Sequence, residues 1–253
     1  MNRRSFICGS LVAAGCGCGY GHCQTLQQGC IISDDQIVEL MGRNASSKMF
    51  SFSIDDDEVQ NGSGNKLFDR ALAHALANSS SCFSVLPGFG FFDDQTSPNA
   101  FASPSKRLGR ADGSVVFGLT LFHQLMNRPE SPEVCVMAVC AHEFGHIAQN
   151  KYGAGTRLIG ASGRTKRLEL HADYLAGYFA GTRRLENRDF PAAVFAATMH
   201  SLGDTSFGRQ DHHGTPEERA NALVRGHDAA YRQHLEFKVA FEAGVQYVLQ
   251  ISE

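Results

Sequence analysis

Two histidines one helical turn apart, with a glutamate beside the first, are the residues best spaced for chemistry in this chain. They form the segment His142-Glu143-Phe144-Gly145-His146, an H-E-x-x-H pattern. Positions i and i+4 share one face of a helix, so both imidazoles can reach a single metal ion. Glu143 projects to the side, where it can hold a water on that metal and act as general base. A hydrolytic zinc site needs three protein ligands and one open position. Glu169, in Glu169-Leu170-His171-Ala172-Asp173, is the candidate third ligand, for one Zn2+ per chain. Asp173 falls one turn further along the same face and can accept the far N–H of a ligand histidine, fixing its tautomer. Taken alone, Glu169 and Asp173 read better as acids on a surface helix, paired with Arg164, Lys166 or Arg167. Beside the two histidines they read as a ligand and its support.

These residues need a buried helix to carry the histidines and a second one packed against it. Ser131 can cap the first helix, Pro132 suits its first position and Glu133 complements its dipole. From Val134 to Ala148 the helix is apolar nearly all round, as expected at the centre of a fold. Histidines in such a setting are costly unless bonded, which favours a metal. The second helix spans Leu168 to Thr182, and Gly177 and Gly181 allow a neighbouring helix to approach closely. Between the two, 153–163 reads as a glycine-rich, basic surface loop that can border the cleft as a lid; it lacks the Lys-Ser/Thr ending of a phosphate-binding loop.

Elsewhere, Ser33-Asp34-Asp35 can cap a helix to Gly42, and 50–54 alternates like a strand. The acidic run 55–58 lacks the periodic ligands of a calcium loop and reads as a solvated turn. Lys66 to Ala77 carries a helical apolar face. Strands are expected at 82–86, ending at Pro87-Gly88, at Asn99-Ala100-Phe101-Ala102, and at 114–118 after a turn at 111–113. Further helices are expected at 119–127, 190–199, from the capping box Thr215-Pro216-Glu217-Glu218 to about His227, and at 237–249. No internal repeat is visible.

With 253 residues, 43% hydrophobic and 19% charged, the chain can bury one good core. Its formal net charge of −3, without a basic-aromatic pattern, argues against a nucleic-acid surface. No stretch is long and apolar enough to span a membrane as a helix. Asn2-Arg3-Arg4-Ser5-Phe6-Ile7 resembles a twin-arginine export signal, giving 1–15 as the signal, 16–32 as a Gly/Cys-rich linker and 33–253 as one domain. Val12-Ala13-Ala14-Gly15-Cys16 resembles a lipobox without the usual leucine, so a lipidated Cys16 offers a route to the membrane. Of the eight cysteines, Cys135 and Cys140 sit on one helix, five positions apart, poorly placed to pair with each other. They read as buried small apolar residues.

H-E-F-G-H followed by E-L-H-A-D resembles the gluzincin metallopeptidases, where H-E-x-x-H is completed by E-x-x-x-D. Among these the chain is similar to the HtpX-like and CaaX-type zinc endopeptidases and the neutral zinc metallopeptidases. Asn99 to Ala102 resembles their N-A-F-A edge strand, and Gly113 to Leu121 the strand and helix start that follow. His213-Gly214-Thr215-Pro216 with Arg219 resembles the segment after their third ligand. The resemblance spans about 80–225. It implies an α+β fold, a mostly helical zincin-like domain with a small sheet beside the H-E-x-x-H helix. It also implies a zinc-dependent metalloendopeptidase acting on peptides or unfolded proteins, exported to the periplasm or cell envelope. His142, His146 and Glu169 would bind Zn2+ and Glu143 would be the base. His213 or His212 would stabilise the oxyanion; a surface histidine flanking a helix is the alternative reading. The edge strand can pair with an extended peptide, or simply belong to the core. A zinc amidase acting on cell-wall peptides and a catalytically silent zinc protein are the alternatives.

Overall fold

The computed structural model describes residues 31, 33, 36–37, 49–50, 66–94, 98–106, 108, 110–159, 163–201 and 213–252. The expected export signal with Cys16, nearly all of the linker, the acidic run at 55–58 and His212 lie outside the described residues. So does most of the expected helix to Gly42, although Gln36 and Ile37 are helical. Ser33 caps them as expected: its Oγ accepts from Gln36 N at 3.3 Å, and its own N–H donates to Gln36 Oε1 at 2.7 Å.

The elements are β1 (Met49–Phe50), α1 (Lys66–Phe83), β2 (Gly88–Phe92), β3 (Ala100–Ser103), β4 (Ser114–Gly118), α2 (Leu119–Met126), α3 (Pro132–Lys151), α4 (Gly155–Ile159), α5 (Lys166–Glu186), α6 (Ala192–Ser201), α7 (Pro216–Tyr231) and α8 (Phe237–Leu249). The fold is α+β and mostly helical, with a small mixed sheet in the order β1-β2-β4-β3. β2 runs parallel to β4, while β3 lies antiparallel to β4 on the edge, with Ala102 opposite Val115. Ile31 forms a single parallel bridge to Ala102. Alternation along the strands splits the side chains between two cores. Phe89, Phe91, Val115 and Phe117 join the main core with the helices, while Phe92, Phe101 and Val116 form a smaller cluster with Ile37 and Leu108.

The strand expected at 82–86 is displaced. Helix α1 continues to Phe83, because Leu72, Leu76 and Phe83 extend one buried helical face. Ser79 fits this helix by returning its hydroxyl to Ala75 O at 3.1 Å. Ser84 then turns the chain at φ 51°, and the strand is β2, in Gly88-Phe89-Gly90-Phe91-Phe92. All five of its residues are buried, so the polar-apolar alternation that marks a half-exposed strand is missing. Gly88 is required by close packing, since a Cβ there would lie 2.2 Å from Leu108 Cβ.

Helix α3 is buried from Val134 to Gln149 apart from the half-buried Met137. It packs against α1, α2, α5, α6 and β3. Its start differs from expectation: Ser131 makes no side-chain cap and sits left-handed at φ 43°. Its carbonyl instead accepts from Val134 N at 2.9 Å and Cys135 N at 3.2 Å. The loop after α3 is less free than expected, because α4 interrupts it. Leu158 is buried, and Arg157 makes a two-point ion pair with Glu242 of α8 at 2.9 Å. Cys135 and Cys140 are free and buried.

Two close helix contacts position the site. Gly145 faces α5 at Ala172, where an added Cβ would meet Ala172 Cα at 3.2 Å. Gly177 meets α7 so closely that a Cβ would lie 1.9 Å from Leu223 O. The small residues let the backbones approach, so side chains of α3, α5 and α7 can meet at short range.

Candidate metal centre

His142 and His146 leave the same face of α3, and Glu169 comes from the first turn of α5. All three are buried, and their ligand atoms converge. His142 Nε2 lies 3.1 Å from His146 Nε2 and 3.2 Å from Glu169 Oε2. His146 Nε2 lies 3.4 Å from the same oxygen. Bonds of about 2.0–2.1 Å to a tetrahedral ion place its ligand atoms about 3.3 Å apart. The triangle matches that spacing, so the group can hold a metal ion.

The hydrogen bonds behind the triangle define which ring nitrogen faces inward. His142 Nδ1 donates to Asp173 Oδ1 at 2.8 Å. Asp173 also receives both arms of Arg219, with Nε to Oδ2 and Nη2 to Oδ1 each at 2.8 Å. His146 Nδ1 donates to Gln149 Oε1 at 2.8 Å. With Nδ1 protonated on both rings, the Nε2 lone pairs converge on the Glu169 carboxylate oxygen. Three acceptors so placed repel one another unless a cation joins them. A proton or a metal ion can do this, and the donor set of two imidazoles and one carboxylate suits zinc.

The charges follow from this arrangement. Burial disfavours ionisation of Glu169, but the neighbouring His146, His213 and His142 outweigh it and hold its carboxyl well below the usual range. Burial likewise opposes the charge of Asp173, and Arg219 overcomes it. For His142, burial disfavours the cation, yet the charge and hydrogen bond of Asp173 raise its pKa above the ordinary histidine value. Glu143 behaves oppositely. Burial is its dominant influence and pushes its pKa up to about 8. Its Oε2 is buried and has no hydrogen-bond partner among the described residues. Such an oxygen is costly unless a ligand or water completes it.

A small cavity of about 70 Å3, room for one or two waters, touches His146 and Gln149 between α3 and the end of β3 at Ala102 and Ser103. His213 is half-buried just before α7 and is close enough for its charge to act on Glu169, but it is outside the converging triangle. Gly214, at φ 94°, makes the turn that leads from His213 into the Thr215 capping box. That box, expected from the sequence, starts the helix that carries Arg219.

Three supporting residues have no role in the sequence reading. Arg219 appears there only as part of a resemblance, while Gln149 and His171 are passed over. Gln149 donates to Leu168 O at 2.7 Å and to His171 Nδ1 at 3.1 Å, and His171 Nε2 donates to Phe241 O at 3.1 Å. A glutamine in an otherwise apolar run, three positions after a candidate ligand histidine, is the signal that could have marked Gln149. Compared with models of protein families, with curated proteins and with solved structures, the chain gives no match.

Proposed function

We propose that this chain is a zinc-dependent metalloendopeptidase of the gluzincin type, which hydrolyses peptide bonds in exported or cell-envelope proteins. One observation carries the reading: three buried ligand atoms converge at 3.1–3.4 Å, and the adjoining Glu143 has a buried oxygen with no hydrogen-bond partner among the described residues. A zinc ion held there would supply a Lewis acid for the scissile carbonyl and lower the pKa of its water. A dication beside Glu143 would favour its ionised form against the burial that raises its pKa, and the carboxylate would then take a proton from that water through Oε2 and deliver it to the leaving amine. His142 and His146 are oriented by Asp173 and Gln149, so they need no rearrangement to present Nε2. His213 would approach the developing oxyanion from the segment before α7. A purely structural zinc site normally closes with four protein ligands, whereas the group among the described residues offers three. This favours the catalytic reading over the silent one. Export and a lipid anchor at Cys16 belong to the same proposal.

The test compares wild type with Glu143→Gln for zinc content and for cleavage of a denatured protein. Zinc should be equal in the two, while cleavage should fall by about 10²–10⁴-fold, the usual contribution of a general base. Undiminished cleavage, or zinc lost together with Glu143, would sink the mechanism. Glu169→Ala should lose stoichiometric zinc on dialysis; tight binding by that variant would remove Glu169 from the site.

A further inference from the structure

We propose that Gln149 and His171 are positioning residues, a proton-ordered chain that locks His146 in the Nδ1–H tautomer and ties the metal centre to the backbone of α8. The proposal rests on the reading of His146 as a ligand and names what holds it in place.

Each link has one possible sense. The Phe241 carbonyl can only accept, so His171 Nε2 carries the hydrogen across their 3.1 Å contact. His171 Nδ1 is then an acceptor and takes one N–H of Gln149 at 3.1 Å. The other N–H of that amide goes to Leu168 O at 2.7 Å. Both amide hydrogens are committed, so Gln149 Oε1 faces His146 Nδ1 at 2.8 Å as an acceptor. His146 must therefore carry its hydrogen on Nδ1, which leaves the Nε2 lone pair pointing at the cluster. Reversing any link would set two donors or two acceptors against each other inside the core, at a cost of about 1–3 kcal/mol.

The chain is also held mechanically. Gln149 and His171 are fully buried. The His171 ring meets Phe241 edge-on at 4.9 Å and stacks along Tyr174 at 6.3 Å. Gly244 leaves the space this needs, since a Cβ there would lie 2.9 Å from His171 Cδ2.

The experiment has two arms. Long-range ¹H–¹⁵N NMR on the metal-free full chain should find His146 with its hydrogen on Nδ1 and His171 with its hydrogen on Nε2. Chelator competition should then find zinc bound about 10–100-fold more weakly by Gln149→Met. His171→Phe should fall in the same range, and His171→Gln, which can still accept from Gln149 and donate to Phe241 O, should recover most of the affinity. Phenylalanine keeps the ring contacts and loses only the hydrogen bonds, so a packing role would reverse that order. The proposal is overturned by the opposite tautomer in the wild type, by wild-type affinity in folded Gln149→Met, or by His171→Phe outperforming His171→Gln. A wild type that binds no zinc would instead defeat the proposed function, and the tautomers would still decide the chain of hydrogen bonds.

Discussion

The two histidines of the cluster are supported by opposite chemistry. Behind His142 stand two full charges, Asp173 and Arg219, in a two-point pair with both bonds at 2.8 Å. Behind His146 stands a neutral amide, then a neutral imidazole, then a backbone carbonyl. Both supports orient a ring; burial works against the cation of His142, and the charge of Asp173 outweighs it and raises His142 above its ordinary value. The charged support also buries two ions, which is tolerable only while each has the other. A neutral relay avoids that cost and works through direction alone. His142 is thus backed by an ion pair and His146 by a neutral relay.

The largest expected effect follows from stranding one of these ions. Arg219→Met leaves Asp173 charged and buried and should lower unfolding stability by about 3–5 kcal/mol, measured by urea denaturation of the metal-free chain. Changing both residues, as in Asp173→Asn with Arg219→Met, strands no ion and should recover much of the loss. A double variant as unstable as the single would mean that packing, not charge, dominates there.

Next in size is metal affinity. Asp173→Asn should weaken zinc binding by about 10–100-fold. The comparison is sharpened by pH. In the metal-free chain the raised His142 holds a proton in the cluster, and zinc must displace it. Below that raised pKa, apparent affinity should fall about tenfold per pH unit, the cost of releasing one proton; above it, affinity should level off. Asp173→Asn should move the break to lower pH, whereas Gln149→Met should weaken binding without moving it. Equal movement in both variants would erase the distinction between the two supports. By the same linkage, the His142 contribution to stability is complete below the ordinary histidine pKa and is lost as pH rises through the raised one.

The smallest effect comes from a pair of similar geometry in water. Arg157 and Glu242 also meet through two bonds, at 2.9 Å, but their side chains are 40% and 52% exposed. Arg157→Ala should cost about 0.2–1 kcal/mol in thermal or denaturant unfolding. A loss rivalling that of Arg219→Met would show that burial is not what separates the two pairs.

The sequence spoke most clearly where short-range rules apply. Helical spacing placed His142 and His146 on one face, the capping box announced the start of α7, and the segments expected at 114–118, 119–127 and 237–249 match β4, α2 and α8 closely, while α5 runs beyond 168–182 at both ends. It misled where a local pattern was ambiguous. Cys82 to Leu86 looks like a strand only until the buried face running from Leu72 to Phe83 is followed through. The Gly-Phe run of β2 carries no alternation because both of its faces are buried. Ser131 has the composition of a cap, but its left-handed backbone makes the carbonyl do the work.

His142, Glu143, His146, Glu169 and Asp173 were nameable from spacing and residue type, because each pair lies within a turn or so of one helix. That Glu169 reaches both histidines, and that Asp173 serves His142 rather than His146, depends on how α3 and α5 pack at Gly145 and Ala172. Arg219, His171 and the Phe241 carbonyl join the site from α7, α5 and α8, at sequence separations of 46 residues for the Arg219–Asp173 bond and 70 for the His171–Phe241 bond. Spacing within one helix determines which side chains can share a face. Which faces meet, and which nitrogen is left to point inward, is decided only when separate helices close around the same few atoms.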